Sequence, residues 1–358
     1  MKKKTRVTIL LVCIACFLVL APILVLYSMG YRFDVEKMKI TATGGIYVRT
    51  YPVAEKIIID SKTIDKPGIF SNSIFQQSLL PNSHSVLIQK TGYYDYSKSL
   101  VVKENQVTKL ENVLLFKKDM QFDTIKDTTQ SPFISKDKYI IKTNNLYSVD
   151  QKTTAVLKNL VAFYVDGNNI TWLGTDGFLY KLDMSSSTTV VQKNAAKITT
   201  SAIKINKKGL YKIVSGGQNM FVVADGSLLK LNTQTNILEK FADSAKDAKI
   251  SSDNKNIIYY NDNDIYIASL EDATIPHFKL NSSANKIGNC IWLNNDYIIF
   301  TAGNKIVISE IDYRDNINKI TLPDSLNLVS PEISFNQQEG KFYILSQKIL
   351  LASEKITQ

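Results

Sequence analysis

Hydrophobic and polar positions change their rhythm along the chain, and each rhythm predicts a different element. From Val7 to Met29 the residues VTILLVCIACFLVLAPILVLYSM carry no charge over 23 positions. At about 1.5 Å per residue, a helix of that length crosses a hydrocarbon layer of about 30 Å. From Gly44 to Phe116 the apolar residues fall instead in short runs, GIYVRT, KIIID, HSVLIQK, SLVVK and VTKLENVLLF, divided by Pro52, Pro67-Gly68, Pro81-Asn82 and Gly92. Short runs rich in β-branched residues and bounded by turn formers predict strands, here a small antiparallel sandwich over 44–116. The stretch KKDMQFDTIKDTTQSP, 117–132, is polar and without pattern, and is expected to be a linker. A second domain is expected over 133–358.

Within that second domain the strands carry a repeat. NNLYSVD ends at Asp150, DGFLYKLD at Asp183, DGSLLKLN at Asn232, NDIYIAS at Ser269, GNKIVISE at Glu310 and QKILLAS at Ser353. The period is close to the ~40–45 residues of a four-stranded propeller blade. In TDGFLYKLD and ADGSLLKLN an Asp-Gly pair suited to a tight hairpin leads one apolar strand into the next. A lone hairpin cannot bury its faces, whereas sheets stacked radially bury both faces of each and leave few open edges. The expected fold is therefore mainly β: one N-terminal transmembrane helix, a small β-sandwich and a β-propeller of about six blades. A second sandwich, or a stack of them, is the alternative, since the repeat is uneven and the chain has only 15 glycines.

Charge orients the apolar run. Of a formal net charge of +10, four positive charges come from Lys2, Lys3, Lys4 and Arg6, and the next basic residue is Arg32. That bias holds residues 1–6 in the cytoplasm, makes 7–29 the membrane helix and places the bulk of the chain outside. The remaining lysines alternate with Asp, Glu, Asn and Thr instead of clustering with aromatics, which argues against a nucleic-acid groove. A cleaved signal peptide is the competing reading, with Ser28-Met29-Gly30 as its small-x-small site, but the run exceeds the usual ~7–15 apolar residues. Ala15-Cys16 is a faint lipobox inside an apolar stretch that continues well past it. Cys13 and Cys16 lie in the membrane run, so Cys290 has no intrachain partner outside it. Cys290 is expected to be a buried strand residue beside Ile291 and Trp292, the alternative being a free nucleophile.

The residues of 44–116 also follow a known spacing. Gly45-Ile46-Tyr47-Val48 is followed by Pro52 with Ile57, Ile59 and Asp60, then Leu80-Pro81 with His84, Val86 and Ile88, then Lys90-Thr91-Gly92-Tyr93. This resembles the PEGA domain, a small β-sandwich of extracytoplasmic regions of bacterial and archaeal proteins. Pro52-Val53-Ala54-Glu55 departs from the name-giving tetrapeptide by lacking its glycine, and Asn82 stands where a second glycine is usual. Tyr27-Ser28-Met29-Gly30-Tyr31-Arg32-Phe33 also looks like the opening of anchored members of this group. The resemblance implies a sandwich close to the membrane, with a histidine or tyrosine at the position of His84.

Candidate chemistry is sparse. There is no Gly-x-Ser-x-Gly, no phosphate-binding loop, no His-Glu-x-x-His and no Cys-x-x-Cys outside the membrane run. The best ion-site candidate, Asn261-Asp262-Asn263-Asp264, lacks the glycine and the distal glutamate of a calcium loop and reads as a polar hairpin turn, as do Asp176 and Asp225. Tyr93, Tyr94 and Tyr96 are the candidate ligand contacts, able to stack on a sugar or a partner, although structural anchoring is the competing role. Trp172 and Trp292 sit in apolar strand text and are expected in the core. His84 shares a strand face with Val86, Ile88 and Lys90, and is expected to mark the fold, with His84→Tyr largely harmless. Function is then expected to be non-enzymatic binding or scaffolding in the cell envelope, without a metal or cofactor, toward an envelope protein or a surface glycan. An envelope hydrolase using propeller-loop carboxylates, and an extracytoplasmic sensor working with a membrane partner, are the alternatives.

Overall fold

The computed structural model describes residues 3–64, 72–125, 133, 139–149, 155–184 and 192–356. Pro67-Gly68, Pro132 and Asp150, singled out above, lie outside the described residues. Two compact units result, Met1–Met120 with Arg314–Asn318, and Gln121–Tyr313 with Lys319–Gln358.

The first unit begins with α1 (Lys3–Ser28), which tolerates Pro22 and ends in a turn where Gly30 takes φ +87°. That left-handed conformation is one a glycine adopts without a Cβ penalty. From Thr5 to Ser28 the helix is long and apolar enough to cross a membrane, a property shared by anchors and signal sequences. A two-stranded hairpin follows, β1 (Tyr31–Asp34) and β2 (Lys39–Ala42).

Next comes a sandwich of two sheets. One has the order β6 (Ser73–Leu79), β3 (Gly44–Tyr51), β9 (Val107–Leu114). The other has the order β5 (Lys62–Ile64), β4 (Lys56–Ile59), β7 (Ser83–Gln89), β8 (Tyr96–Val101). The expected antiparallel arrangement needs one correction, because β3 and β9 run parallel. A parallel pair requires a long crossover, and here the other sheet supplies it. Alternation sets the core: Ile46 and Val48 from one sheet meet Ile57, Ile59, Val86, Ile88 and Leu100 from the other. Each such aliphatic side chain contributes about 1.5–3 kcal/mol on full burial. Strand β8 is an edge, and the Arg314–Asn318 segment covers it. Asp315 Oδ2 accepts from the Ser99 N–H at 2.8 Å, and Asn316 and Asn318 Nδ2 donate to the Ser97 carbonyl at 3.2 and 3.1 Å. Those amides satisfy backbone groups that would otherwise template another strand.

The second unit is a series of small sheets, each built almost wholly from consecutive strands. The first holds β11 (Tyr139–Lys142), β12 (Asn145–Ser148) and β13 (Ala155–Lys158). The second holds β14 (Leu160–Asp166), β15 (Asn169–Gly174), β16 (Leu179–Asp183) and β17 (Ala196–Lys197). The third holds β18 (Tyr211–Gly216), β19 (Asn219–Ala224), β20 (Ser227–Asn232) and β21 (Ile237–Ala242). The fourth holds β22 (Asp247–Ile250), β23 (Asn256–Tyr260), β24 (Asp264–Ser269) and β25 (Phe278–Ser282). The fifth holds β26 (Ile287–Trp292), β27 (Tyr297–Ala302), β28 (Lys305–Glu310) and β29 (Lys319–Thr321). The sixth holds β30 (Glu332–Asn336), β31 (Lys341–Ser346) and β32 (Ile349–Ser353), with β10 (Phe122–Ile125) on its outer edge.

This is a propeller-like fold. The six sequence repeats become β12, β16, β20, β24, β28 and β32, and in each four-stranded sheet of consecutive strands the repeat is the third strand. Successive sheets approach through their first strands, β14 beside β18, β18 beside β22, and β26 beside β30. The stretch 117–132, expected as a linker, contains β10, which pairs antiparallel with β32 and sets Phe122 edge-on against Phe342 at 5.5 Å. A strand from the start of the unit thus completes its last sheet, covering an edge that would otherwise stay open.

Candidate functional site

Among the residues singled out in the first unit, Tyr96 is only 4% exposed and belongs to the sandwich core. Tyr93 is half-buried against that core, with Lys90 Nζ 5.6 Å from its ring centroid, and Tyr94 is half-buried with its N–H donating to the Phe116 carbonyl at 2.9 Å. Tyr93 and Tyr94 alone retain a solvent-facing part.

His84 is buried and engaged at both ring nitrogens. Nδ1 meets Asp60 Oδ2, and Nε2 lies 2.7 Å from the Leu80 carbonyl. Asp60 occupies the two-residue turn between β4 and β5 at φ +49°, and its Oδ1 accepts from the Ser85 N–H at 3.0 Å. The spacing of Asp60 and His84 therefore closes a clasp between a hairpin turn and β7. With a carboxylate on one nitrogen and a carbonyl on the other, neither is open to a substrate proton. A tyrosine at this position has a single hydroxyl to donate, and the Leu80 carbonyl already accepts from the Asn82 N–H at 2.8 Å, so Asp60 is the acceptor that depends on residue 84. The orienting carboxylate, 24 residues away, was beyond reach of strand periodicity.

In the second unit the expected turn residues have a shared structural task. The Gly177 carbonyl accepts from Ile203 N–H at 2.9 Å, Gly226 from Ala245 at 2.7 Å and Asp262 from Ile287 at 2.7 Å. Each turn thereby latches the chain as it enters the following sheet. At Gly177, φ is +84° and an added Cβ would lie 2.0 Å from the Ile203 carbonyl oxygen, so only glycine fits. The two Asp-Gly pairs nonetheless form different turns: Asp225 and Gly226 are both left-handed, a type I′ geometry, while Asp176 is not and its loop is longer.

Lysines answer the acidic turn at Asn261–Asp264. Asp262 lies 2.9 Å from Lys246 Nζ and 3.2 Å from Lys286 Nζ, and Asp264 lies 3.3 Å from Lys279 Nζ. Hydrogen bonding from Lys246, chiefly, holds the Asp262 carboxyl below its usual range, and a bond from Ser282 does the same for Asp264. An open cleft of about 520 Å³ is lined here by Leu210, Gly226, Lys246, Asn261, Asp262 and Asp264. Among the described residues, no group of three or more His, Cys, Asp or Glu could hold a metal.

Charge also gathers on the first strands. Lys212 of β18 lies 2.6 Å from Asp247 Oδ1 of β22, and Tyr260 Oη donates to Asp247 Oδ2 at 3.2 Å. Burial raises the Tyr260 phenol well above its ordinary range. Lys249, two residues along β22, sits near Cys290 of β26. Burial lowers the Lys249 amine and nearby Lys212 lowers it further, against an opposing pull from Asp247. Cys290 is fully buried and its thiol is raised by burial, so it is inert and not the nucleophile. Trp292 is half-buried, its Nε1 donating to the Lys249 carbonyl at 2.9 Å, while Trp172 is core, stacked on Tyr180 at 5.5 Å. The only sequence signal for this cluster is charge inside short strands, Lys212 in YKIVSG and Lys249 in DAKI, where alternation of neighbours gives no warning.

No family model and no curated protein matches the sequence. Among solved structures the chain is similar to YCF48 bound to D1 peptide, at 11% identity over 88% of this chain and 97% of that one, TM-score 0.42. It is similar also to BamB from Moraxella catarrhalis, at 9% identity over 86% and 98%, TM-score 0.40. Hsv2 of Kluyveromyces lactis shows 11% identity over 79% and 100%, TM-score 0.37. The propeller-like assignment stands on the chain's own strand order and register.

Proposed function

We propose that this chain is a membrane-anchored binding or scaffolding protein of the cell envelope. Residues 1–6 lie inside, 7–29 anchor the chain, 44–116 form a PEGA-type sandwich, and the sheets beyond it take an acidic segment of another envelope protein. The observation that supports this most is Lys249, a partly buried cation whose charge is disfavoured where it stands. Lys212 has Asp247 as its partner, whereas no hydrogen bond or ion pair of the Lys249 amine is seen among the described residues. A carboxylate placed against Lys249 would relieve that deficit, and a charge-assisted bond of this kind contributes about 1.5–3 kcal/mol. The clasped histidine and the lysine-paired carboxylates favour recognition over proton transfer.

The test is capture of partners by the full chain from crosslinked intact cells. Capture is expected to fall about tenfold or more in Lys249→Glu, to survive Lys249→Arg and to weaken with salt. Empty capture, or capture indifferent to Lys249→Glu, would overturn the proposal. Enrichment of wall glycan alone would move the ligand to that class. Turnover of a glycan or peptide panel, lost with a loop carboxylate, would establish a hydrolase instead.

A further inference from the structure

The hairpin that follows α1 turns Asp34 and Thr41 inward and Phe33 and Ile40 outward, while Lys39 is exposed and Ala42 buried. Strands β1 and β2 pair Arg32 with Thr41 and Asp34 with Lys39 on one face, and Phe33 with Ile40 on the other. Asp34 and Thr41 are buried at 0% and 3% exposure, whereas Phe33 is 54% and Ile40 56% exposed. Val35 and Met38, in the turn, are 72% and 73% exposed. An ordinary two-faced sheet does the reverse.

Polar contacts hold this inversion in place. Arg32 donates to the Tyr27 and Tyr31 carbonyls at 2.8 Å each and to Ser78 Oγ at 3.0 Å, and its guanidinium lies 3.5 Å from the Tyr27 ring centroid. Lys37 Nζ reaches Asn82 Oδ1 at 3.1 Å, while Asp34 Oδ1 accepts from the Glu36 and Lys37 N–H groups at 3.0 and 3.1 Å. The hairpin is thus fixed to the helix end on one side and to the sandwich on the other. It forms a two-stranded sheet of its own, an arrangement only marginally stable in water.

We infer that the apolar face of this hairpin, Phe33, Val35, Met38 and Ile40, lies in the lipid interface of the bilayer that α1 crosses. Continuity identifies the occupant: β1 starts at Tyr31, directly after a helix that ends at Ser28, and Tyr27 and Met29 at this junction are themselves exposed. A hairpin this close to a membrane helix meets the boundary of headgroups and acyl chains, where aromatic and aliphatic side chains gain from burial and Arg or Lys can reach the headgroups. The hairpin then acts as a collar that limits how the sandwich can tilt on its anchor. The inference rests on reading α1 as an anchor.

Tryptophan reporters test it in the full chain, reconstituted in phosphatidylcholine and phosphatidylglycerol vesicles with acyl chains brominated near the headgroup. With the emission of Trp172 and Trp292 in the parent chain subtracted, Met38→Trp emission is expected to shift to the blue and to fall about twofold against unbrominated vesicles, while Ile237→Trp in the second unit stays unquenched. Adding Phe33→Asn and Ile40→Asn is expected to abolish quenching at position 38 without changing the sandwich's thermal transition, because neither side chain packs in its core. A chain that resists alkaline extraction but whose reporter at position 38 is unquenched and water-exposed would overturn the collar alone. Release of the chain by alkaline extraction would overturn the anchor and the collar together. Crosslinking between copies through position 38, without quenching, would assign the face to a second chain and also overturn it.

Discussion

In the sandwich, one whole sheet joins strands from distant parts of the chain, β3 with β6 and, in parallel, with β9, and the other links two local hairpins, β4–β5 and β7–β8, through the long-range pair β4–β7. In the propeller-like unit nearly every strand pairs with its sequence neighbour, β14 to β17, β18 to β21, β22 to β25 and β26 to β29 in turn. Single long-range elements complete both: residues 314–318 on the edge of β8, and β10 on β32. The difference teaches where cooperativity lies. A sandwich core depends on all its strands at once, whereas a row of local sheets depends on each neighbour and on the closing strand.

Core truncations should break the comparison most strongly. Phe221 is fully buried between sheets and Ile88 is fully buried in the sandwich. Phe221→Ala is expected to cost about 3–5 kcal/mol and Ile88→Ala about 2–5 kcal/mol. Hydrogen exchange followed by mass spectrometry should show each loss confined to its own unit; equal deprotection of both by Phe221→Ala would contradict two independent cores. Phe122→Ala comes next, at about 1–2 kcal/mol, with protection lost in β10 and β32 before β15. Uniform loss throughout the unit would show that β10 is not a separable closure.

The clasp gives a smaller effect. His84→Ala removes the donors to the Asp60 carboxylate and to the Leu80 carbonyl, which keeps its bond from the Asn82 N–H, at about 1–2 kcal/mol, with faster exchange at Ser85 in Asp60→Asn as well. Unchanged thermal stability would remove the clasp from the account. The smallest effect is a pH dependence at His277, whose Nδ1 lies 2.9 Å from Tyr259 Oη and whose ring packs 4.5 Å from Phe241. Desolvation lowers its pKa from 6.5, so the unfolded chain takes up the proton first as pH falls. Stability should decline as pH drops through about 6.5, and level off below the folded value. His277→Gln should flatten this segment of the profile; an identical slope would place the titration elsewhere.

Much of the architecture was legible because it is local. Asp-Gly turns and alternating strands announce a hairpin within a dozen residues, and six such signals in series imply six sheets. Strand β10 was hidden in FDTI, four residues with two polar members, because its strand character comes only from β32 at the other end of the unit. The Asp60–His84 clasp and the Lys212–Asp247 pair were hidden for the same reason, being fixed by register between strands and not by spacing along one. The inverted hairpin was readable only in part: YRFD and KITA alternate correctly, but no alternation says which face meets water.

A photo-crosslinking lysine analogue that keeps its ε-amine, placed at Lys249 and in a matched chain at exposed Lys240, tests the binding account on living cells most directly. The account predicts a discrete adduct with an envelope protein from position 249 and none from 240. No adduct at 249, or the same adducts from both positions, would contradict it.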